Sequence, residues 1–209
     1  MSREFDKEDM ESTTVVGIKT ENGVVICADR QVSGRRITET DKLKQIHPRA
    51  VIGTAGSVTD IQTLVKDLRT NVKEYKMRRG HEIRVEPLFD SVRETINPGA
   101  GLTIPSYLSN IVMVGYGEEP VIAEISYFGT KTHEEEFVVV GSGGLVARGV
   151  LSSGYEKSMS LEEAKELGVE SLRVAAKEGV YTGLGVDVAT VTEEGIEMEE
   201  EINIEYRED

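Results

Sequence analysis

The sequence predicts an α+β fold: a four-layer αββα sandwich in which two antiparallel sheets pack face to face and helices cover both outer faces. Two observations carry that prediction. Strand-type and helix-type segments come in blocks, in the order strands, helix pair, strands, helix pair, strands. No linker, repeat or low-complexity tract interrupts the order, so the 209 residues form one domain.

The chain opens with a charged segment, Met1 to Ser12, that lacks the apolar core of a signal peptide or membrane anchor. Thr13 to Ile18 and Val24 to Arg30 are apolar runs joined through Asn22-Gly23, a hairpin turn signal, and they predict the first strand pair. Gln31 to Asp41 is polar and predicts a loop. Lys42 to Ile46 and Ala50 to Ala55 predict a second strand pair turned at His47-Pro48.

From Ser57, Val58, Ile61, Leu64, Val65, Leu68, Val72 and Tyr75 fall on one helical stripe that stops at Gly80. A second helix is expected around Pro87 to Ile96. Strands are expected at Ile111 to Tyr116, Val121 to Tyr127 and Glu136 to Val140. Gly141-Ser142-Gly143-Gly144 then opens a third helix that runs to about Tyr155. The fourth starts at Ser160, where Ser160 and Glu163 have the spacing of a capping box, and ends near Glu178. Val186 to Thr192 and Ile196 to Ile204 close the chain as a hairpin across Glu193-Glu194-Gly195.

Composition narrows the function classes. Against 38 acidic residues stand 24 basic ones, a formal net charge of −14, without a long basic tract. Nucleic-acid binding needs clustered Lys and Arg and is not expected. The single cysteine, Cys27, excludes an internal disulfide, and its apolar neighbours Ile26 and Ala28 predict a buried strand thiol. His47, His81 and His133 lack metal-ligand spacing. The expected setting is the cytosol, with no membrane contact and no cofactor.

Thr13 heads the first strand, and a threonine in that position can act as a catalyst if the peptide bond before it is cut. Its freed amine then serves as the base beside its own hydroxyl. Met1 to Ser12 would be a removable leader and residues 13–209 the domain proper. Taken singly, these signals have plainer readings. Thr13-Thr14 fits β propensity, Asp29-Arg30 a strand end, Lys42 and Lys44 a solvated edge, and Gly56 a turn into the long helix.

Together, Thr13-Thr14-Val15-Val16-Gly17-Ile18, Ala28-Asp29-Arg30, Lys42, Thr54-Ala55-Gly56-Ser57, Tyr75-Lys76-Met77-Arg78-Arg79-Gly80, Gly141-Ser142-Gly143 and Asp187-Val188-Ala189 resemble the proteasome β-subunit family, in particular its archaeal members. The resemblance covers nearly everything from Thr13 to Thr192 and implies an N-terminal-nucleophile (Ntn) hydrolase fold and a threonine-type endopeptidase. It implies Thr13 as nucleophile, Lys42 as the cation beside its hydroxyl, and Asp29 as the carboxylate that holds Lys42. The Gly56 amide would be the oxyanion donor, with Ser142 and Thr182 at the amine. Val32, Lys44, Thr54 and Val58 would line the pocket for the residue before the scissile bond, where a second cation, Lys44, could favour acidic side chains.

The implied partners are proteasome α-type subunits and other β-type subunits in stacked heptameric rings, an unfolding ATPase, and unfolded protein substrates. The chain also departs from the family pattern. Ser12 replaces the usual glycine before the nucleophile, the segment between Asp29 and Lys42 is shortened, and Gly179 and Thr182 stand where the family has aspartate and serine. Gly141-Ser142-Gly143-Gly144 and Tyr181-Thr182 are similar to the bacterial HslV-type peptidase, which also lacks the aspartate. A non-cutting structural β-type subunit and an HslV-like dodecameric peptidase therefore remain as alternatives.

Overall fold

The computed structural model describes residues 13–30, 42–56, 58–97, 107, 109–134, 136–178 and 185–203, without the side chains of 58, 59 and 201–203. Among the described residues, ten strands and four helices follow in the order β1 (Thr14–Lys19), β2 (Val24–Asp29), β3 (Leu43–His47), β4 (Ala50–Gly56), α1 (Val58–Arg79), α2 (Val85–Ile96), β5 (Ser109–Tyr116), β6 (Pro120–Ile125), β7 (Lys131–Glu134), β8 (Phe137–Gly141), α3 (Gly144–Gly154), α4 (Leu161–Lys177), β9 (Gly185–Val191) and β10 (Ile196–Asn203). They form two five-stranded sheets, β10-β9-β2-β1-β8 and β3-β4-β5-β6-β7. Every pairing is antiparallel.

Three apolar layers hold the sandwich together, as strand alternation requires when both faces of a sheet are covered. Between the sheets lie Val15, Ile26, Ala28, Leu43, Val51, Val112, Val114, Val138 and Ala189. Beneath α1 and α2 the opposite face of the second sheet contributes Ile52, Ile111 and Met113 to a cluster with Leu64, Leu68, Val72, Leu88 and Phe89. Beneath α3 and α4 the first sheet contributes Val16, Ile18, Val25, Cys27 and Val188. Cys27 is buried as expected, and burial pushes its thiol up to about 12, so it stays protonated and unreactive.

Where sequence and structure differ, the reason is local. β7 has no counterpart in the expected elements because Lys131, Thr132, His133 and Glu134 carry no apolar side chain. It is the edge strand of its sheet, paired on one side to β6, and an edge needs no buried face. β6 stops at Ile125 rather than Tyr127, since Ser126 donates to the Thr130 carbonyl and begins the turn into β7. α2 starts at Val85, two residues before the expected position. Pro87 falls within the first helical turn, where a missing N–H forfeits no intrahelical bond. The Ser160–Glu163 capping box of α4 forms in both directions.

His47 closes β3 and is buried, its Nδ1 accepting the Arg49 amide at 3.1 Å. Burial holds its imidazole below the ordinary range, opposed by the nearby Glu82 carboxylate and reinforced by the Arg49 charge. A histidine whose folded-state pKa is lowered resists protonation, so the unfolded chain takes up the proton first. Stability is then expected to fall as pH drops through about 6.5, by at most ~1.4 kcal/mol per pH unit. Thermal midpoints of wild type and His47→Asn at pH 7.5 and 5.5 check this: the acid-side drop should shrink in the variant.

Candidate active site

The strand registers bring Thr13, Asp29, Lys42, Thr54, Gly56 and Ser142 to one end of the sandwich. In the first sheet Thr14 pairs with Gly141 and Asp29 with Val186, so the start of β1, the ends of β2 and β8 and the start of β9 lie side by side. In the second sheet Leu43 pairs with Gly53 and Gly56 with Ser109, which puts the start of β3 beside the last residues of β4. Lys42, immediately before β3, crosses from one sheet to the other. Its carbonyl accepts the Thr54 amide at 3.3 Å, and its Nζ donates to Asp29 Oδ2 at 3.1 Å.

Asp29 is the hub of this crossing. It is fully buried, and while Oδ2 holds Lys42, Oδ1 accepts the Thr14 main-chain amide at 2.6 Å. Lys42 is also buried. A buried carboxylate and ammonium are tolerable only as a hydrogen-bonded pair, and deleting either partner of such a pair costs about 3–5 kcal/mol. The lysine is thus linked through one carboxylate to the backbone that follows Thr13.

Thr13 is 2% exposed. Its carbonyl accepts the Ser142 amide at 3.0 Å, just past the Thr14–Gly141 pairing. The contact from Ser142 runs through its main chain, while its residue as a whole is exposed. Gly141 has φ +102° and passes so close to Thr13 that a Cβ would lie 1.7 Å from the Thr13 carbonyl oxygen. Gly56 ends β4 with φ +152° and is partly buried.

Sequence reasoning did not single out two of these contacts. The buried Thr14 hydroxyl accepts the Gly143 amide at 2.9 Å, and Gly143 is the N-cap residue of α3, which no side chain caps. The second threonine therefore fastens α3 to the start of β1. The other is Gly141, whose close approach to Thr13 was hidden within a glycine-rich helix start. In both cases the signal present in sequence, Thr-Thr and Gly-Ser-Gly-Gly, identified the segment and not the contact.

Of the pocket candidates, Thr54 is buried and its hydroxyl has no hydrogen-bond partner among the described residues, while Lys44 is partly buried opposite Ile52. β3 begins at Leu43, and the Lys42 carbonyl extends its ladder by one rung through the Thr54 amide. Val58 begins α1, and its side chain lies outside the described residues, as do Val32, Gly179 and Thr182. A cavity lined by Tyr75, Arg78 and Arg79 opens at the far end of α1, roughly 30 Å along the helix from this site. Among the described residues no His, Cys, Asp and Glu cluster could hold a metal ion, and no helix is long and apolar enough to cross a membrane.

A family model described as proteasome subunit matches residues 10–191. The chain is 36% identical over 203 residues to a proteasome subunit beta of Haloferax volcanii, covering 96% of this chain and 82% of the relative. It is 37% identical over 191 residues to proteasome subunit beta 2 of Thermococcus onnurineus, covering 90% and 94% respectively. A proteasome subunit beta 1 of Pyrococcus furiosus is 36% identical over 191 residues, with 90% and 95% covered.

Proposed function

The chain belongs to the proteasome subunit family, and we propose that it is a proteolytic β-type subunit of a 20S-type proteasome, a threonine endopeptidase. Met1 to Ser12 is a leader that the chain removes itself, and residues 13–209 form the mature domain. The subunit works in the cytoplasm, in stacked heptameric rings with α-type and other β-type subunits, and degrades unfolded proteins delivered by an unfolding ATPase. The observation that best supports this reading is the buried Asp29 carboxylate, which binds Lys42 Nζ at 3.1 Å and the Thr14 amide at 2.6 Å beside the candidate nucleophile.

Chemically, the freed Thr13 amine, with an ordinary pKa near 8, takes the proton from the Thr13 hydroxyl as that oxygen attacks the peptide carbonyl carbon. The Lys42 ammonium lowers the cost of the alkoxide, and Asp29 keeps it charged and in place. The Gly56 amide donates to the oxyanion of the tetrahedral intermediate. Collapse passes the proton to the leaving amine and leaves an ester on Thr13, which water hydrolyses. Ser142 and Thr182 orient the amine. Val32, Lys44, Thr54 and Val58 line the specificity pocket. The Thr54 hydroxyl, which has no partner among the described residues, and the Lys44 charge favour a polar or acidic side chain there.

Ser12 and Gly179, where the family pattern has glycine and aspartate, favour instead a β-type ring member that does not cut. Intact mass and a panel of short fluorogenic peptides separate the two. A proteolytic subunit should lose Met1 to Ser12 on assembly and turn over peptides, with acidic residues before the scissile bond preferred over apolar ones. A full-length chain in an inert particle would refute the peptidase reading, and no acidic advantage would remove the specificity assignment alone. Ring symmetry in electron micrographs distinguishes this assembly from an HslV-like dodecamer.

A further inference from the structure

One half-buried ion pair next to the site belongs to none of the roles above. Arg30 follows Asp29 directly, one residue past the end of β2. Its main-chain amide donates to the Gly185 carbonyl at 2.9 Å, adding a rung to the β2–β9 ladder beyond the Asp29–Val186 pair. Its guanidinium then reaches back along β9 and donates to Asp187 Oδ1 at 2.9 Å. Asp187 is 2% exposed and sits opposite Ala28, so the pair straddles the position of Asp29.

The stem of Arg30 is confined as well. A Cβ on Gly185 would lie 3.1 Å from Arg30 Cδ and 3.6 Å from its Cγ, so the alkyl chain lies close over the glycine. Backbone, charge and packing therefore converge on a single joint between Arg30, just past β2, and the first residues of β9. A salt bridge at a strand end that leads to open solvent would frequently contribute nothing measurable. Here one partner is buried, and the strand end it pins is the one that carries Asp29.

We propose that Arg30 and Asp187 are positioning residues for the active site, their ion pair holding the end of β2 so that the Asp29 carboxylate stays aimed at Lys42 and at the Thr14 amide. Lever length makes the strand end critical. Asp29 must span two acceptor contacts, 2.6 Å and 3.1 Å, from a strand that ends at that residue. Beyond Asp29 the strand end is held by the Arg30–Gly185 main-chain bond and by the ion pair, and without the ion pair that single terminal rung is left to resist fraying. A carboxylate displaced by about 1 Å carries Lys42 with it, and misplacement on that scale can cost about a hundredfold in rate.

This role rests on the peptidase reading, and the test separates the two. Kinetics of the assembled particle on a fluorogenic peptide are measured for wild type, Arg30→Met, Arg30→Lys, Asp187→Asn and the swapped pair Arg30→Asp/Asp187→Arg. Arg30→Met and Asp187→Asn are expected to lower kcat about 10-fold to 100-fold with KM within about twofold. Arg30→Lys should recover most of kcat, and the swapped pair should lose less than its two single substitutions combined. Should Arg30→Met fail to assemble, Arg30→Lys and Asp187→Asn still give the kcat and KM comparison. An active wild type whose folded variants keep kcat, or lose only KM, overturns the positioning role alone. An inert wild type overturns the peptidase reading and this role with it.

Discussion

Thr13→Ala is expected to leave Met1 to Ser12 attached and to abolish peptide hydrolysis, while the particle still assembles. Both losses follow from one atom. The Thr13 hydroxyl is the proposed nucleophile in cleaving the Ser12–Thr13 bond and again in cutting substrate, and alanine offers no oxygen. The fold should survive because Thr13 is tied in through its main chain, whose carbonyl accepts the Ser142 amide at 3.0 Å, and alanine keeps that carbonyl. The hub next to it is also independent of the Thr13 side chain, since Asp29 binds the Thr14 amide and Lys42.

Thr13→Ser, which restores the oxygen without the methyl group, is expected to regain both processing and turnover at a reduced rate. Intact mass reads the first and initial rates on a fluorogenic peptide read the second. Persistent turnover in Thr13→Ala particles would place the nucleophile elsewhere and remove the basis for the site as drawn.

The fold was legible in the sequence wherever burial left a periodic trace. β1, β2, β4 and β5 are covered on both faces and read as continuous apolar runs, and α1 shows its buried stripe in Leu64, Val65, Leu68 and Val72. β7 was invisible because an edge strand with Lys131 and Glu134 at its ends buries almost nothing. Site residues followed another rule. Thr13, Asp29, Lys42 and Gly56 stood out through the family resemblance, since a lone Asp or Lys at a strand end carries no local signal of being buried. The ion pair from Arg30 to Asp187 joins residues 157 apart in the chain, a relation that only the β2–β9 register discloses.

Gly141→Ala should be the most destructive single-methyl change near the site. Two penalties combine there. The backbone sits at φ +102°, outside the conformations a β-carbon tolerates without strain, which costs roughly 1–3 kcal/mol. The added carbon would also lie 1.7 Å from the Thr13 carbonyl oxygen, 2.7 Å from its carbonyl carbon and 3.0 Å from Thr14 Cα. All three are main-chain atoms, so no rotamer change can relieve the clash. Either β8 withdraws and breaks the Ser142–Thr13 bond, or Thr13 moves and takes the start of β1 with it.

Loss of more than ~3 kcal/mol, or failure to fold, is the expected result for Gly141→Ala by chemical denaturation. Gly149→Ala in the middle of α3 is the control: a Cβ there meets nothing within 4 Å, and the helix should gain up to ~1 kcal/mol. A Gly141→Ala protein that unfolds at the wild-type midpoint would mean that β8 and Thr13 are not in contact, and the nucleophile would then lack its main-chain anchor. If the variant folds only weakly, its residual activity should be far below that of Gly149→Ala, because the displaced atoms are those that carry the Thr13 side chain.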